Sequence, residues 1–109
     1  MVQEVPAVVL VLSTVPDDAS AETIARTLVE EKLAACVNVL PPMLSIYRWK
    51  GAVERDTERQ LVMKTTRAAL AALQKRLAEL HSYELPEFIV LHADGGSDAY
   101  LEWAGASLK

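Results

Sequence analysis

Apolar runs and helical stripes of apolar residues alternate along the chain, and together they predict the order of its elements. Residues 7–12 are all apolar, which is typical of a strand covered on both faces. Apolar residues recur at helical spacing over 18–33, and a leucine stripe over 70–80 predicts a second helix. Residues 88–91 read as a buried strand, and apolar positions between 101 and 108 indicate a short C-terminal helix.

The middle of the chain contains three further β-rich segments. Residues 35–40 and 44–49 are separated by Pro41-Pro42, and Lys50-Gly51 is a hairpin turn signal before a long strand over 53–64. The resulting order is βαββαβ with a final helix. This order predicts a ferredoxin-like α+β sandwich with two helices on one face of an antiparallel sheet, built as a single domain over residues 1–109.

The extended central hairpin is the unusual element of this pattern. A straight strand over 53–64 would span about 40 Å, which is longer than a compact domain of this size. Residues 54–60 are polar on both faces, whereas Ile46, Tyr47 and Trp49 place apolar mass near the tip. Because isolated hairpins are marginally stable in water, we expect this one to dock on neighbouring subunits. A bent strand lying over its own sheet is the alternative.

Charge and cysteine usage limit the partners and the compartment. The net charge is −4, and no stretch clusters Lys and Arg, which argues against nucleic acid. Cys36 is the single cysteine, so no intrachain disulfide forms and a reducing compartment is favoured. The apolar run over 5–12 contains Pro6 and is too short to span a membrane or to act as a signal peptide. We therefore expect a cytoplasmic protein with no membrane partner.

Motifs that would indicate catalysis are missing from the sequence. None of the four glycines forms a phosphate loop, and no nucleophile elbow or metalloprotease motif occurs. Cys36 with His81 or His92 could form a nucleophile pair, but the sequence does not place them together. We predict that the protein is not an enzyme, and a hydrolase or transferase is the alternative.

Metal ligands are equally sparse. One cysteine and two histidines are too few for a closed zinc site within one chain, although ligands shared between subunits would suffice. Cys36 fits a buried core thiol as well as a ligand, and His81 fits a helix C-terminal residue as well as a ligand. Tyr47 and Trp49 fit interface packing or a ligand platform.

Several blocks of the sequence resemble one known family. Residues 33–38 read LAACVN, 45–51 read SIYRWKG, and 83–87 read YELPE, and these strings are similar to the CutA divalent-cation-tolerance family. Lys64-Thr65 and the stretch 100–103 match it in the same order. The resemblance implies a ferredoxin-like subunit and a homotrimer in which the long hairpins pack on neighbours. It also implies an architecture like that of the trimeric PII-type signalling proteins.

The resemblance also implies a function and a site. We expect a non-enzymatic trimer involved in divalent metal (copper) tolerance or response, binding cations in clefts between subunits and needing no cofactor. The metal ligands would be Cys36 and His81, with Cu²⁺ as the candidate ion. The chain matches the family's intersubunit cleft at Tyr47, Trp49, Glu58, Lys64 and Tyr83. The alternative is a PII-like signalling or scaffold trimer that senses a small molecule or docks a partner protein.

Two departures from the family pattern affect the copper expectation. Ser13 stands where some members have a cysteine proposed as a copper ligand. Leu80-His81-Ser82-Tyr83 stands where those members have His-His-Pro-Tyr. Of that ligand set, only His81 is retained.

Overall fold

The computed structural model describes residues 7–16 and 18–109. Val5 and Pro6 of the first apolar run, and Asp17 among the residues that precede the first helix, lie outside them. The strands are β1 (Val8–Val15), β2 (Cys36–Val39), β3 (Met43–Trp49), β4 (Ala52–Thr66) and β5 (Ile89–His92). The helices are α1 (Asp18–Glu30), α2 (Leu70–Leu80) and α3 (Asp98–Ala106), and a 3₁₀ turn at Arg67–Ala69 precedes α2. The predicted order of elements is confirmed.

Helix α1 ends earlier than the pattern predicts. The apolar stripe extends to Leu33, but Lys32 has a φ of 60°, which is the left-handed conformation that terminates a helix. The backbone N–H of Leu33 donates to the Leu28 carbonyl at 2.9 Å, and that of Lys32 donates to Val29 at 3.1 Å. These two bonds form a Schellman motif. Leu33 therefore packs against the core from the turn rather than from the helix.

All strand pairs are antiparallel, in the order β2-β4-β1-β5, with β3 also paired to β4. β2 pairs with the inner half of β4, and β3 pairs with its outer half. Pro41-Pro42 therefore separates two segments that pair with the same strand. Lys50 and Gly51 both have positive φ, 50° and 83°, as a type I′ hairpin turn requires.

The hairpin projects from the body of the domain. The molecule measures 56 × 26 × 24 Å, and every residue from Ala52 to Thr57 is exposed. Ile46 and Val53 near the tip are 66% and 65% exposed. The alternative of a strand folded back over its own sheet is therefore wrong.

The main core lies on one face of the sheet. Val11, Val15, Leu61 and Met63 meet the buried faces of α1 and α2 there. Among the described residues, the opposite face is covered at one end, where Ala104 of α3 packs with Val8 and Ala35. The registers pair the uncovered residues with one another, since Leu12 opposes both Val62 and Ile89, and Leu10 opposes Leu91. We call these five residues the open face.

Candidate functional site

The candidate site is a cleft between the base of the hairpin and the segment that follows α2. Its volume is about 910 Å³, and residues of β3, β4 and the segment 82–89 line it. The sheet and core hold the base of β4 firmly. The segment 82–89 is attached through hydrogen bonds to side chains, and at its end Phe88 packs on the core and Ile89 joins the sheet.

His81 fixes the start of this segment. Its Nε2 lies 2.6 Å from the Thr14 carbonyl oxygen, and the backbone N–H of Tyr83 donates to its Nδ1 at 3.1 Å. Because Nδ1 accepts a hydrogen bond, the proton resides on Nε2, which donates to Thr14. The residue is only 8% exposed. Both ring nitrogens of His81 are therefore already used to join β1 to the segment.

Tyr83 and Glu58 form a polar contact within the cleft. The Tyr83 hydroxyl donates to Glu58 Oε2 at 2.6 Å, and Glu58 is 6% exposed. Burial, and then the bond to Glu58, raise the pKa of the Tyr83 hydroxyl above its usual range. Tyr83 therefore keeps its proton and remains a donor at neutral pH. Within residues 7–16 and 18–109, no Lys, Arg or His pairs with Glu58.

Gln60 connects the far side of the segment to the sheet. Its Nε2 donates to the Ser13 carbonyl at 2.6 Å and to Glu87 Oε2 at 2.9 Å. On the hairpin, the Tyr47 hydroxyl donates to Asp56, and this bond raises the pKa of Tyr47 to about 12. Gln60 was not identified as a site residue from the sequence. It was assigned only to the polar stem of the hairpin.

An ammonium group already lies at the mouth of the cleft. Lys50 Nζ is 5.6 Å from the centroid of the Trp49 ring and 3.6 Å from Glu84 Oε2. Such a distance is typical of a cation–π contact. At this exposed position one aromatic ring and one carboxylate both contact the ammonium group.

The structure brings together some of the residues singled out in the sequence and separates others. The cleft is lined by Tyr47, Trp49, Glu58 and Tyr83. His81 is not a lining residue, but it accepts a hydrogen bond from the backbone N–H of Tyr83. Cys36 and Lys64 do not line the cleft, because they oppose each other across β2 and β4 at a position four residues beyond Gln60 along β4. There Lys64 Nζ lies 5.9 Å from the ring centroid of Tyr100.

The two predicted metal ligands therefore do not meet within one chain. Cys36 lies opposite Lys64 on β4. Thr14, whose carbonyl oxygen accepts the hydrogen bond from His81, lies opposite Gln60. Gln60 and Lys64 are four residues apart, which is about 13 Å along β4. In the part of the chain described, no three His, Cys, Asp or Glu side chains form a group able to hold a metal ion. A copper site therefore does not fit one chain alone.

Burial bears on two further residues singled out in the sequence. Cys36 is half-buried in the single chain, so it is not a buried core thiol within that chain. Ser13 alternates with the buried residues Val11 and Val15 and is itself fully buried. Among the described residues its Oγ has no hydrogen-bond partner. Ser13 contributes its carbonyl oxygen to Gln60, and its hydroxyl lies on the side of the helices.

The fold and the cleft together define a class: small α+β proteins with a projecting hairpin and an acidic, aromatic cleft at its base. The family model described as CutA1 divalent ion tolerance protein matches residues 9–107 of this chain. The chain belongs to this CutA1 family.

The match to this chain extends over most of the length of several CutA proteins. A divalent-cation tolerance protein CutA of Thermus thermophilus is 49% identical over 94 residues, which are 86% of this chain and 91% of that protein. The crystal structure of CutA from Xylella fastidiosa is 45% identical, with a TM-score of 0.91, and the match covers 94% of this chain and 99% of that one. A CutA structure from Archaeoglobus fulgidus, described as periplasmic, is 31% identical, with a TM-score of 0.90 and the same two coverages.

Membrane insertion through a helix finds no support in the described ranges. None of the helices that they contain is long and apolar enough to cross a bilayer.

Proposed function

We propose that the protein is a non-enzymatic homotrimer of ferredoxin-like subunits that acts in tolerance of divalent metal ions. Membership of the CutA1 family supports the role in divalent-cation tolerance. The strand order supports the ferredoxin-like description, since β1 and β4 are central and α1 and α2 share one face of the sheet.

The exposure of the open face is the observation that supports an oligomer. Leu91 is 46% exposed, and Ile89 beside it is exposed to a similar extent. The exposed aromatic side chains of Tyr100 and Trp103, on α3, extend the apolar surface. Contiguous apolar patches of this kind on soluble proteins usually form protein–protein contacts. The projecting hairpin needs cover for the same reason, because a two-stranded ribbon alone is marginal in water.

Cation binding would then require ligands from more than one chain. Cys36 is half-buried on the side of the sheet that the open face occupies, so a neighbouring copy packed there would approach the thiol. Thiolate and imidazole suit copper ions. His81 would serve as a ligand only after releasing Tyr83 or Thr14, and we propose it as the weaker of the two.

Calorimetry with Cu²⁺ and Zn²⁺ tests the metal proposal. We expect saturable binding to the wild type, and affinity lower by about tenfold or more in Cys36→Ser and His81→Ala. His92→Ala is the control, because His92 is exposed on β5, outside the cleft. Identical isotherms for all four proteins would remove Cys36 and His81 from the metal site.

A second candidate function is favoured by the cleft itself. A signalling or scaffold trimer of the PII-like kind would need a pocket for a small molecule, and about 910 Å³ lies within the range of ligand sites. In the described residues this pocket contains no metal-ligand cluster.

We also propose a cytoplasmic location, on the basis of the single cysteine. The periplasmic description belongs to the Archaeoglobus fulgidus protein.

A further inference from the structure

The charged residues that line the cleft are all acidic. They are Glu58, Glu84 and Glu87, and the lining residues described include no Lys, Arg or His. A cleft of one sign, with low-dielectric walls, concentrates ligands of the opposite sign. The cleft is therefore electrostatically suited to a cation.

The burial of Glu58 distinguishes the cleft from an exposed acidic surface. The side chain of Glu58 is more than nine-tenths buried and lines the cleft, and among the described residues the single hydrogen bond to its carboxylate comes from Tyr83. A buried carboxylate is costly unless a cation or several donors compensate it. In the ranges that the structure describes, the chain itself supplies neither. A cation that enters the cleft would supply this missing partner.

The rest of the lining indicates what kind of cation would fit. Tyr47, Trp49, Tyr83 and Phe88 contribute aromatic surface, which suits a cation with a diffuse charge and an apolar body. A small metal ion is a poorer match. It requires several converging oxygen ligands, and the carboxylates of Glu58 and Glu87 are held by different partners, Tyr83 and Gln60.

Lys50 provides an example of an ammonium group in contact with residues at the edge of the cleft. Its Nζ lies over Trp49 and beside Glu84 at the outer end of the cleft, held by one ring and one carboxylate. Deeper in the cleft, Glu58 offers the same pairing of a carboxylate with aromatic neighbours.

We propose that this cleft binds a small organic cation, an amine or a guanidinium with an apolar body, whose charged group pairs with Glu58. The inference deepens the second candidate function, ligand sensing, and does not depend on metal binding by Cys36 or His81. The same charged group could also arrive as a Lys or Arg side chain of a neighbouring copy. The following experiment distinguishes these sources.

Benzylamine and benzyl alcohol form a matched probe pair, because they share a shape and differ in charge at neutral pH. We expect saturable binding of benzylamine to the full chain by calorimetry or NMR, and binding of benzyl alcohol weaker by about tenfold or more. Glu58→Gln keeps an acceptor for Tyr83 and removes the charge, so it should weaken benzylamine binding to the level of the alcohol. Glu22→Gln, on the exposed side of α1, should bind benzylamine like the wild type.

Equal binding of the two probes, or unchanged binding in Glu58→Gln, would overturn the proposal. So would a wild type that binds neither probe, the result expected if a neighbour's basic side chain fills the cleft. If Glu58→Gln does not fold, the comparison of the two probes on the wild type still decides. Failure here would leave the metal isotherms and the oligomeric mass unchanged, so it would be distinguishable from failure of the proposed trimer.

Discussion

Leu91→Glu should convert the oligomer to monomers at micromolar concentration. In a lone chain Leu91 is 46% exposed, so a carboxylate there would remain hydrated and would have little effect on folding. If a neighbouring copy covers the open face, the same carboxylate is buried in an apolar contact without a partner, which costs several kcal/mol per site. Sedimentation velocity of the variant and the wild type at equal concentration would measure the change.

Val29→Glu is the matched control for this prediction. Val29 is 40% exposed on α1, on the helical side of the sheet, so its exposure is similar while its location is opposite. We expect this variant to keep the wild-type mass. A Leu91→Glu protein that sediments like the wild type would show that the open face is not an interface.

Leu28→Ala should destabilise the folded protein by about 2–5 kcal/mol. Leu28 is fully buried in α1, where it packs in the main core with Leu61, Met63 and Leu77. Its truncation leaves a cavity that the surrounding strands and α2 cannot close. Denaturant unfolding followed by circular dichroism, at one fixed protein concentration, would measure the loss of free energy.

The adjacent residue supplies the control for the core prediction. Val29→Ala truncates a half-exposed side chain on the same helix and should change the free energy of unfolding by no more than about 0.5 kcal/mol. Equal losses in the two variants would mean that the core described around Leu28 is not the one that stabilises the protein.

The order of elements was predictable because each element carries a local signal. The apolar run of β1, the leucine stripe of α2 and the Lys50-Gly51 turn specify conformation through neighbouring residues alone. The end of α1 was less predictable. Leu33 continues the helical stripe, and nothing in the side chain of Lys32 indicates a left-handed conformation.

The candidate site was only partly predictable, because its contacts join residues distant in sequence. Tyr83 and Glu58 are 25 positions apart, and His81 and Thr14 are 67 apart. The resemblance to CutA proteins identified four of the lining residues. It did not identify Gln60, whose two hydrogen bonds depend on the register of β4 against β1.

The placement of Cys36 shows the same limit. An apolar setting in the sequence is typical of a buried thiol, but Cys36 lies opposite Lys64 on the side of the sheet that the main helices leave uncovered. Which face of a strand is covered depends on where the helices pack, and that information is not local to the strand.

Multi-angle light scattering on the wild type at micromolar concentration tests the central claim that other copies cover the open face and the hairpin. The account predicts a particle of three times the 11.9 kDa mass of one chain. A folded particle with the mass of a single chain would contradict it.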